Sequence, residues 1–129
     1  MKMKSLLVAA CLIPAIAFAN SQIVIDKGSQ SYRLFVDGQI VKTGKVSTGK
    51  RGHSTPSGSF SIRSKFRIVR SEKYRAQMPN AMFFIGTKYA IHAGRVPGYP
   101  ASHGCVRVPM SDSQQLFSSL PVGSTVTIK

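Results

Sequence analysis

Asp37-Gly38 is the pair that most constrains how this chain can fold. It follows the run Gln30 to Asp37, in which Tyr32, Leu34 and Val36 alternate with Ser31, Arg33 and Asp37, and it precedes Gln39 to Ser47, a second β-type run. Two such runs joined by Asp-Gly predict a hairpin, because that pair tolerates the positive φ angles a tight turn needs. Phe35 breaks the alternation. Ser21 to Lys27 is another short β-type run, Thr48 to Gly58 is a loop by composition, and Phe60 with Ile62 restart a strand. Ala81 to Ile85, Tyr89 to His92 and Ser124 to Ile128 read as later strands, and the spacing suggests an antiparallel sheet. Helical signals are few. Ser71 to Gln77 reads as a helical turn, and Ser111-Asp112-Ser113-Gln114 fits a capping box ahead of Leu116, Phe117 and Leu120, with Pro121 as the stop. The expectation is a mainly β fold with one or two short accessory helices.

Met1 to Asn20 reads as an export signal. Lys2 and Lys4 precede the apolar run Leu6 to Phe18, and Ala17-Phe18-Ala19 supplies the small residues of a cleavage site, so residues 1–19 are expected to be removed. The run is short for a membrane span and contains Pro14, so no stable membrane insertion is expected after cleavage. Val8-Ala9-Ala10-Cys11 also resembles a lipoprotein box, but cleavage there would leave the apolar Leu12 to Phe18 at the new terminus. The remaining residues, 20–129, suffice for one domain with a modest core. Loss of Lys2 and Lys4 lowers the formal charge from +14 to +12, opposed by Asp26, Asp37, Glu72 and Asp112 alone. Such a balance favours anionic surroundings. Nucleic acid is disfavoured as the partner by the export signal, whereas a periplasm or cell envelope offers other polyanions.

Three short motifs in the first half carry no chemistry. Gly44 to Lys50 fits a phosphate-binding loop, but Arg51 replaces the required Ser or Thr and no helix follows. Ser47-Thr48-Gly49-Lys50 and Lys42-Thr43-Gly44 match signatures of serine penicillin-binding enzymes in reversed order and nearly touching.

With Cys11 in the export segment, Cys105 is the one thiol of the mature chain and can form no internal disulfide. It lies in Ala101-Ser102-His103-Gly104-Cys105-Val106-Arg107-Val108-Pro109. If that run is extended, His103 projects from the same face as the thiol, and His92 precedes it by a short loop. A thiolate near neutral pH needs a base or a positive neighbour, which makes His92, His103 and Arg107 candidates and leaves His53 as a surface residue. Zinc held by His92, His103 and Cys105 is an alternative, weakened by the lack of a nearby carboxylate base.

Tyr89-Ala90-Ile91-His92-Ala93-Gly94 followed by Ser102-His103-Gly104-Cys105-Val106-Arg107 resembles the signature of the L,D-transpeptidase (YkuD-type) catalytic domain of bacterial cell-wall enzymes. Val46 to Gly49, Thr55 to Ile62 and Met78 to Met82 extend the resemblance over roughly the whole mature chain. It implies a compact β-sandwich-like domain, no cofactor and no metal, and peptidoglycan stem peptides as partners. By position it implies Cys105 as nucleophile, His92 as general base oriented by the Ala93 carbonyl, and His103 beside the thiol to bind or polarise substrate. The amides of Gly104 and Cys105 would hold the oxyanion, and Ser102 and Arg107 fill the remaining, substrate-binding motif positions. The implied reaction is acylation of Cys105 by the third residue of a tetrapeptide stem with release of D-alanine, then transfer to an acceptor amine. With water as acceptor the same site is an L,D-carboxypeptidase, and a non-catalytic cationic envelope-binding protein is the reading from another class. Nine residues separate His92 from Ser102, a shorter connection than in the often quoted motif, and Arg107 stands where that form has Asn.

Overall fold

The structure, a computed structural model, describes residues 20–129. The expected export segment 1–19, with Cys11, lies outside the described residues.

Strands β1 (Ser21–Asp26), β2 (Ser31–Val36) and β3 (Gln39–Lys45) form a meander, and β2 and β3 turn on Asp37 and Gly38 with φ of 52° and 80°. Both central residues of the hairpin are therefore left-handed, which is why an Asp-Gly pair serves there. Where Phe35 breaks the alternation, the β2–β3 register shifts between Leu34 and Phe35. Strand β4 (Gly58–Ser61) and the last strand, β11 (Thr125–Ile128), complete a five-stranded sheet ordered β3-β2-β1-β11-β4. A second sheet is ordered β10-β9-β8-β5, from β5 (Ser64–Phe66), β8 (Ala81–Ile85), β9 (Tyr89–Ala93) and β10 (Val106–Val108). The sheets are mixed rather than antiparallel: β1 pairs parallel with β11, and β9 with β10. The first joins strands from the two ends of the described chain and the second consecutive strands linked by a crossover, and local alternation says nothing of their direction.

The two sheets face each other across one core. Ile23, Ile25, Leu34, Met82, Ile91 and Val126 are all fully buried in it. Alternate residues of the second sheet point the other way: Ala81, Phe83 and Ala90 join Met78 in a smaller cluster on its outer face, and Val69 and Cys105 pack against it. That outer face is covered by a β-arm. Arg67 O accepts from Asn80 N and Val69 O from Met78 N, and β6 (Arg70–Ser71) pairs with β7 (Ala76–Gln77) around a turn in which Arg75 has φ 53°. Ser71 to Gln77 is thus a hairpin tip and not the expected helical turn. Its polar residues are ordinary helix formers, but pairing of the segments beside Val69 and Met78 over the apolar face decides the outcome.

One helix occurs among the described residues, α1 (Met110–Ser119), which sends Leu116 into the core. The expected capping box does not form. The helix begins earlier, with Pro109 as its N-cap at φ −59° and no side-chain cap bond. Ser113 Oγ turns back to Met110 O at 2.7 Å, and Asp112 accepts the Tyr32 hydroxyl at 2.7 Å. Burial, with Asp112 adding to it, pushes the Tyr32 phenol far above its ordinary range, so this bond ties the first sheet to the helix as a neutral donor to a carboxylate.

Candidate active site

Parallel strands cannot be joined by a tight turn; they need a crossover of about a dozen residues or more. The β9–β10 pair is joined by Gly94 to Cys105, and this crossover carries Ser102, His103, Gly104 and Cys105. The candidate nucleophile therefore sits where the crossover re-enters the sheet. Register places His92 opposite Arg107 on the outer face of adjacent strands, and Cys105, in the bend just before β10, packs against the cluster on that same face. His92, Ala93, Ser102, His103, Cys105 and Arg107 line one cavity of about 240 Å³, whose other wall is the arm through Ser71, Tyr74, Ala76, Gln77 and Met78. A second hollow of about 430 Å³ shares Gln77, Ala93, Gly94 and Arg95 and runs out to Met110.

Small hydroxyls pin the crossover. Ser47 Oγ donates to Tyr99 O at 2.8 Å and accepts from Ala101 N at 3.1 Å, while Ser47 and Arg107 exchange backbone bonds of 2.9 Å. Ser102 Oγ accepts from Gly104 N at 3.0 Å and donates to Cys105 O at 2.5 Å. Thr55, fully buried, donates to Gly104 O at 2.7 Å and accepts from Gly49 N at 2.9 Å. Two glycines are forced by this packing. A Cβ on Gly49 would lie 1.8 Å from His53 O, and one on Gly104, whose φ is +133°, would lie 2.6 Å from the Tyr89 ring.

Residues 103–105 form a bend rather than the extended run expected, so His103 and Cys105 do not share a strand face. His103 is exposed; its ring stacks on Tyr74 at 4.0 Å and 4° and meets His53 edge-on at 5.3 Å. His53, expected to be a surface residue, is exposed and touches this stack. The Gly104 amide, one of the two expected to face an oxyanion, is engaged by Ser102 Oγ in holding the bend. Gly104 itself is buried away from the cavity, against Tyr89.

His92 is buried, and its Nδ1 lies 2.7 Å from Ala93 O. A carbonyl only accepts, so Nδ1 carries the proton and Nε2 keeps its lone pair for an incoming one. Burial holds the imidazole below its ordinary pKa; the Ala93 carbonyl opposes this and Arg107 adds to it. Burial also pushes the Cys105 thiol up, against the Ala90 amide and Arg107, which favour thiolate. The expected lowering of the thiol by Arg107 is present but outweighed, so thiol and imidazole are both neutral at rest. Desolvation comes first in lowering His103, followed by Lys50, His53, Arg107 and Lys73. No group of three His, Cys, Asp or Glu side chains among the described residues has metal-holding geometry.

Sequence reasoning missed Thr55, Ser47 and Tyr74. Thr55 stands in a loop where any hydroxyl residue looks alike, and its target is the Gly104 carbonyl 49 positions on. Tyr74 was hidden by the reading of its segment as helical.

The chain matches the sequence model of YkuD, the L,D-transpeptidase catalytic domain, over residues 20–128. YqjB of Bacillus subtilis (strain 168), provisionally named an L,D-transpeptidase, is 25% identical over 122 residues, 82% of this chain and 69% of its own length. YkuD of the same organism, also provisionally named, is 28% identical over 112 residues, 82% of this chain and 64% of its own. A crystal structure of an L,D-transpeptidase from Stackebrandtia nassauensis superposes with a TM-score of 0.79 at 27% identity, over 85% of this chain and 55% of that one. The chain thus spans little more than half of that solved relative.

Proposed function

The chain belongs to the L,D-transpeptidase catalytic domain family, and on that premise we propose that it is an exported peptidoglycan L,D-transpeptidase of the periplasm or cell envelope with Cys105 as nucleophile and His92 as base. The observation that carries this reading is the shared outer face of β9 and β10, where His92, Cys105 and Arg107 border one cavity. Export rests on the basic, apolar and Ala-x-Ala pattern of residues 1–19.

In the proposed reaction the Cys105 sulfur attacks the carbonyl carbon of the third stem residue as its proton passes to His92 Nε2. The tetrahedral intermediate collapses, the C–N bond breaks, and D-alanine leaves with the proton from His92. An acceptor amine then attacks the thioester, gives its proton to His92, and the thiol is restored. Because thiol and imidazole start neutral, no ion pair has to be desolvated at rest; charge develops only with substrate bound. Arg107, on the same face, favours the thiolate as it forms. The Cys105 amide and Arg107 are the groups assigned to the oxyanion, and Ser102 holds the bend that aims the amide. His103, stacked with Tyr74 at the cavity, contacts substrate and steadies the arm above it. The hollow beyond Arg95 has room for a second stem.

Incubation with disaccharide-tetrapeptide followed by mass spectrometry of quenched protein tests the proposal. An adduct on Cys105 weighing the donor minus D-alanine is expected. Consumption of the thioester by acceptor amine to give a cross-linked product marks transpeptidation, and its hydrolysis alone marks the carboxypeptidase. Activity that survives Cys105→Ala would overturn the mechanism, and no adduct with intact binding to wall fragments would leave a binding protein.

A further inference from the structure

The arm that roofs the cavity has a second face. Arg70 pairs with Gln77 and Ser71 with Ala76, and cross-strand partners share a face, so Val69, Ser71, Ala76 and Met78 look towards the sheet while Ile68 and Arg70 look away from it. Met78 is buried and Val69 and Ser71 are half-buried, whereas Ile68 is 81% exposed, more than any other large apolar side chain of the described residues. Phe66, at the base of the arm, is 48% exposed and meets Phe83 only by an edge at 6.1 Å. Between residues 63 and 75 stand six cations, Arg63, Lys65, Arg67, Arg70, Lys73 and Arg75, against Glu72 alone. Lys65 is occupied by the Phe117 carbonyl, and Arg67 by the Phe117 ring and Asn80 Oδ1, which leaves Arg63, Arg70, Lys73 and Arg75 exposed. Nothing in the cavity requires Ile68, which does not line it.

We propose that the outer face of the arm docks on an anionic phospholipid surface, Ile68 and Phe66 entering the headgroup layer while the flanking cations face lipid phosphates. Charge complementarity selects an anionic partner, and the apolar tips between the cations select a lipid over a purely hydrophilic polyanion. An aliphatic side chain this exposed gains nothing from a polysaccharide chain but is removed from water in a bilayer interface. The proposed attachment is through the arm's surface alone. It also orients the cavity, because the arm's inner face is the cavity wall, so a docked arm leaves Cys105 opening sideways along the lipid surface.

Co-sedimentation of the purified protein with phosphatidylcholine vesicles, and with vesicles carrying one quarter phosphatidylglycerol, tests the proposal. Binding to the anionic vesicles, weakened by salt, is expected. Ile68→Ser should weaken it about tenfold, as burial of an aliphatic side chain predicts, and Arg70→Gln with Lys73→Gln should weaken it further. The variants share every other segment with the parent, so a difference between them reads the arm alone. The chain has no tryptophan, so Ile68→Trp supplies the sole indole emission, which should move to the blue with anionic vesicles and stay put with dextran sulfate. Equal binding to both vesicle types, binding untouched by Ile68→Ser, or a blue shift with dextran sulfate as large as with lipid would each overturn the proposal. Absence of binding would do the same.

Discussion

Thr55→Val removes one hydroxyl at nearly constant volume and tests whether the crossover is held as described. In the parent that hydroxyl donates to Gly104 O at 2.7 Å and accepts from Gly49 N at 2.9 Å, in a residue with no exposed surface. The substitution leaves one carbonyl and one amide without partners and with little access to water. Each orphaned group costs about 1–3 kcal/mol, and a lower-end figure for both gives about 2–4 kcal/mol. That is a large share of the roughly 5–15 kcal/mol a domain possesses, and it corresponds to a fall in melting temperature of about 10 °C or more. The loss is local as well as global. Gly104 precedes Cys105, so release of its carbonyl loosens the bend, and misplacement of a reacting atom by about 1 Å costs on the order of a hundredfold in rate. Urea denaturation reads the first effect, and the rate of Cys105 alkylation and acylation at fixed pH reads the second. Thr55→Ser, which keeps the hydroxyl, should stay within about 1.5 kcal/mol of the parent and restore the acylation rate. If Thr55→Val keeps both the parent urea midpoint and the parent acylation rate, the bridge has no role in holding the site.

Gly104→Ala is expected to destabilise by about 2–4 kcal/mol, since its φ of +133° is strained for any side chain and the new methyl would meet the Tyr89 ring; a parent-like urea midpoint would refute the packing argument. The lowered pKa of His92 should keep acylation fast below pH 6.5, with the rate falling only in more acid solution. His92→Ala should abolish that limb, whereas His103→Ala should chiefly raise KM; the reverse pattern would exchange their roles. Stability should decline on both sides of neutrality. Unfolding lets His92 take up a proton as pH falls below its ordinary value near 6.5, and lets Cys105 lose one as pH rises above about 8.5, while the folded state resists both. Urea midpoints of Cys105→Ser measured from pH 5 to 9, below the range where Tyr32 adds its own decline, should lack the alkaline fall; its persistence would place the cause in another group.

Strands whose partners are near in sequence were legible. Ala81–Ile85 is the strand as read, and the Asp37-Gly38 hairpin lies where its turn residues put it. The parallel pairs were not, because β1 meets β11 and β9 meets β10 through contacts that alternation cannot encode. The arm shows the same limit from another side. Ser71 to Gln77 carries helix-compatible residues, and only the apolar outer face of the second sheet, assembled from Ala81, Phe83 and Ala90, makes a covering hairpin more favourable. At the site, residue types and order were readable around Cys105, but roles that depend on direction were not. The Gly104 amide donates to Ser102 Oγ and the His103 ring stacks on Tyr74, contacts that residue order does not encode.

The neutral resting state follows from the same architecture. A thiol placed where a crossover re-enters a sheet packs against Met78, Ala81, Phe83 and Ala90, and that apolar contact disfavours thiolate more than Arg107 and the Ala90 amide favour it. A thiol whose pKa is raised by burial is a poorer target for unselective oxidation and alkylation than an exposed one. In the proposed reaction, reactivity comes from the bound substrate, whose carbonyl offers the sulfur a bond as its proton moves to His92. The Ala93 carbonyl fixes the tautomer that can receive it. Because the cavity wall opposite Cys105 is the arm, and Tyr74 of the arm rests on His103, anything that positions the arm also sets how much water surrounds the thiol. Desolvation that raises the thiol pKa at rest also strengthens, in the low-dielectric cavity, the pull of Arg107 on the charge that would form in the proposed attack.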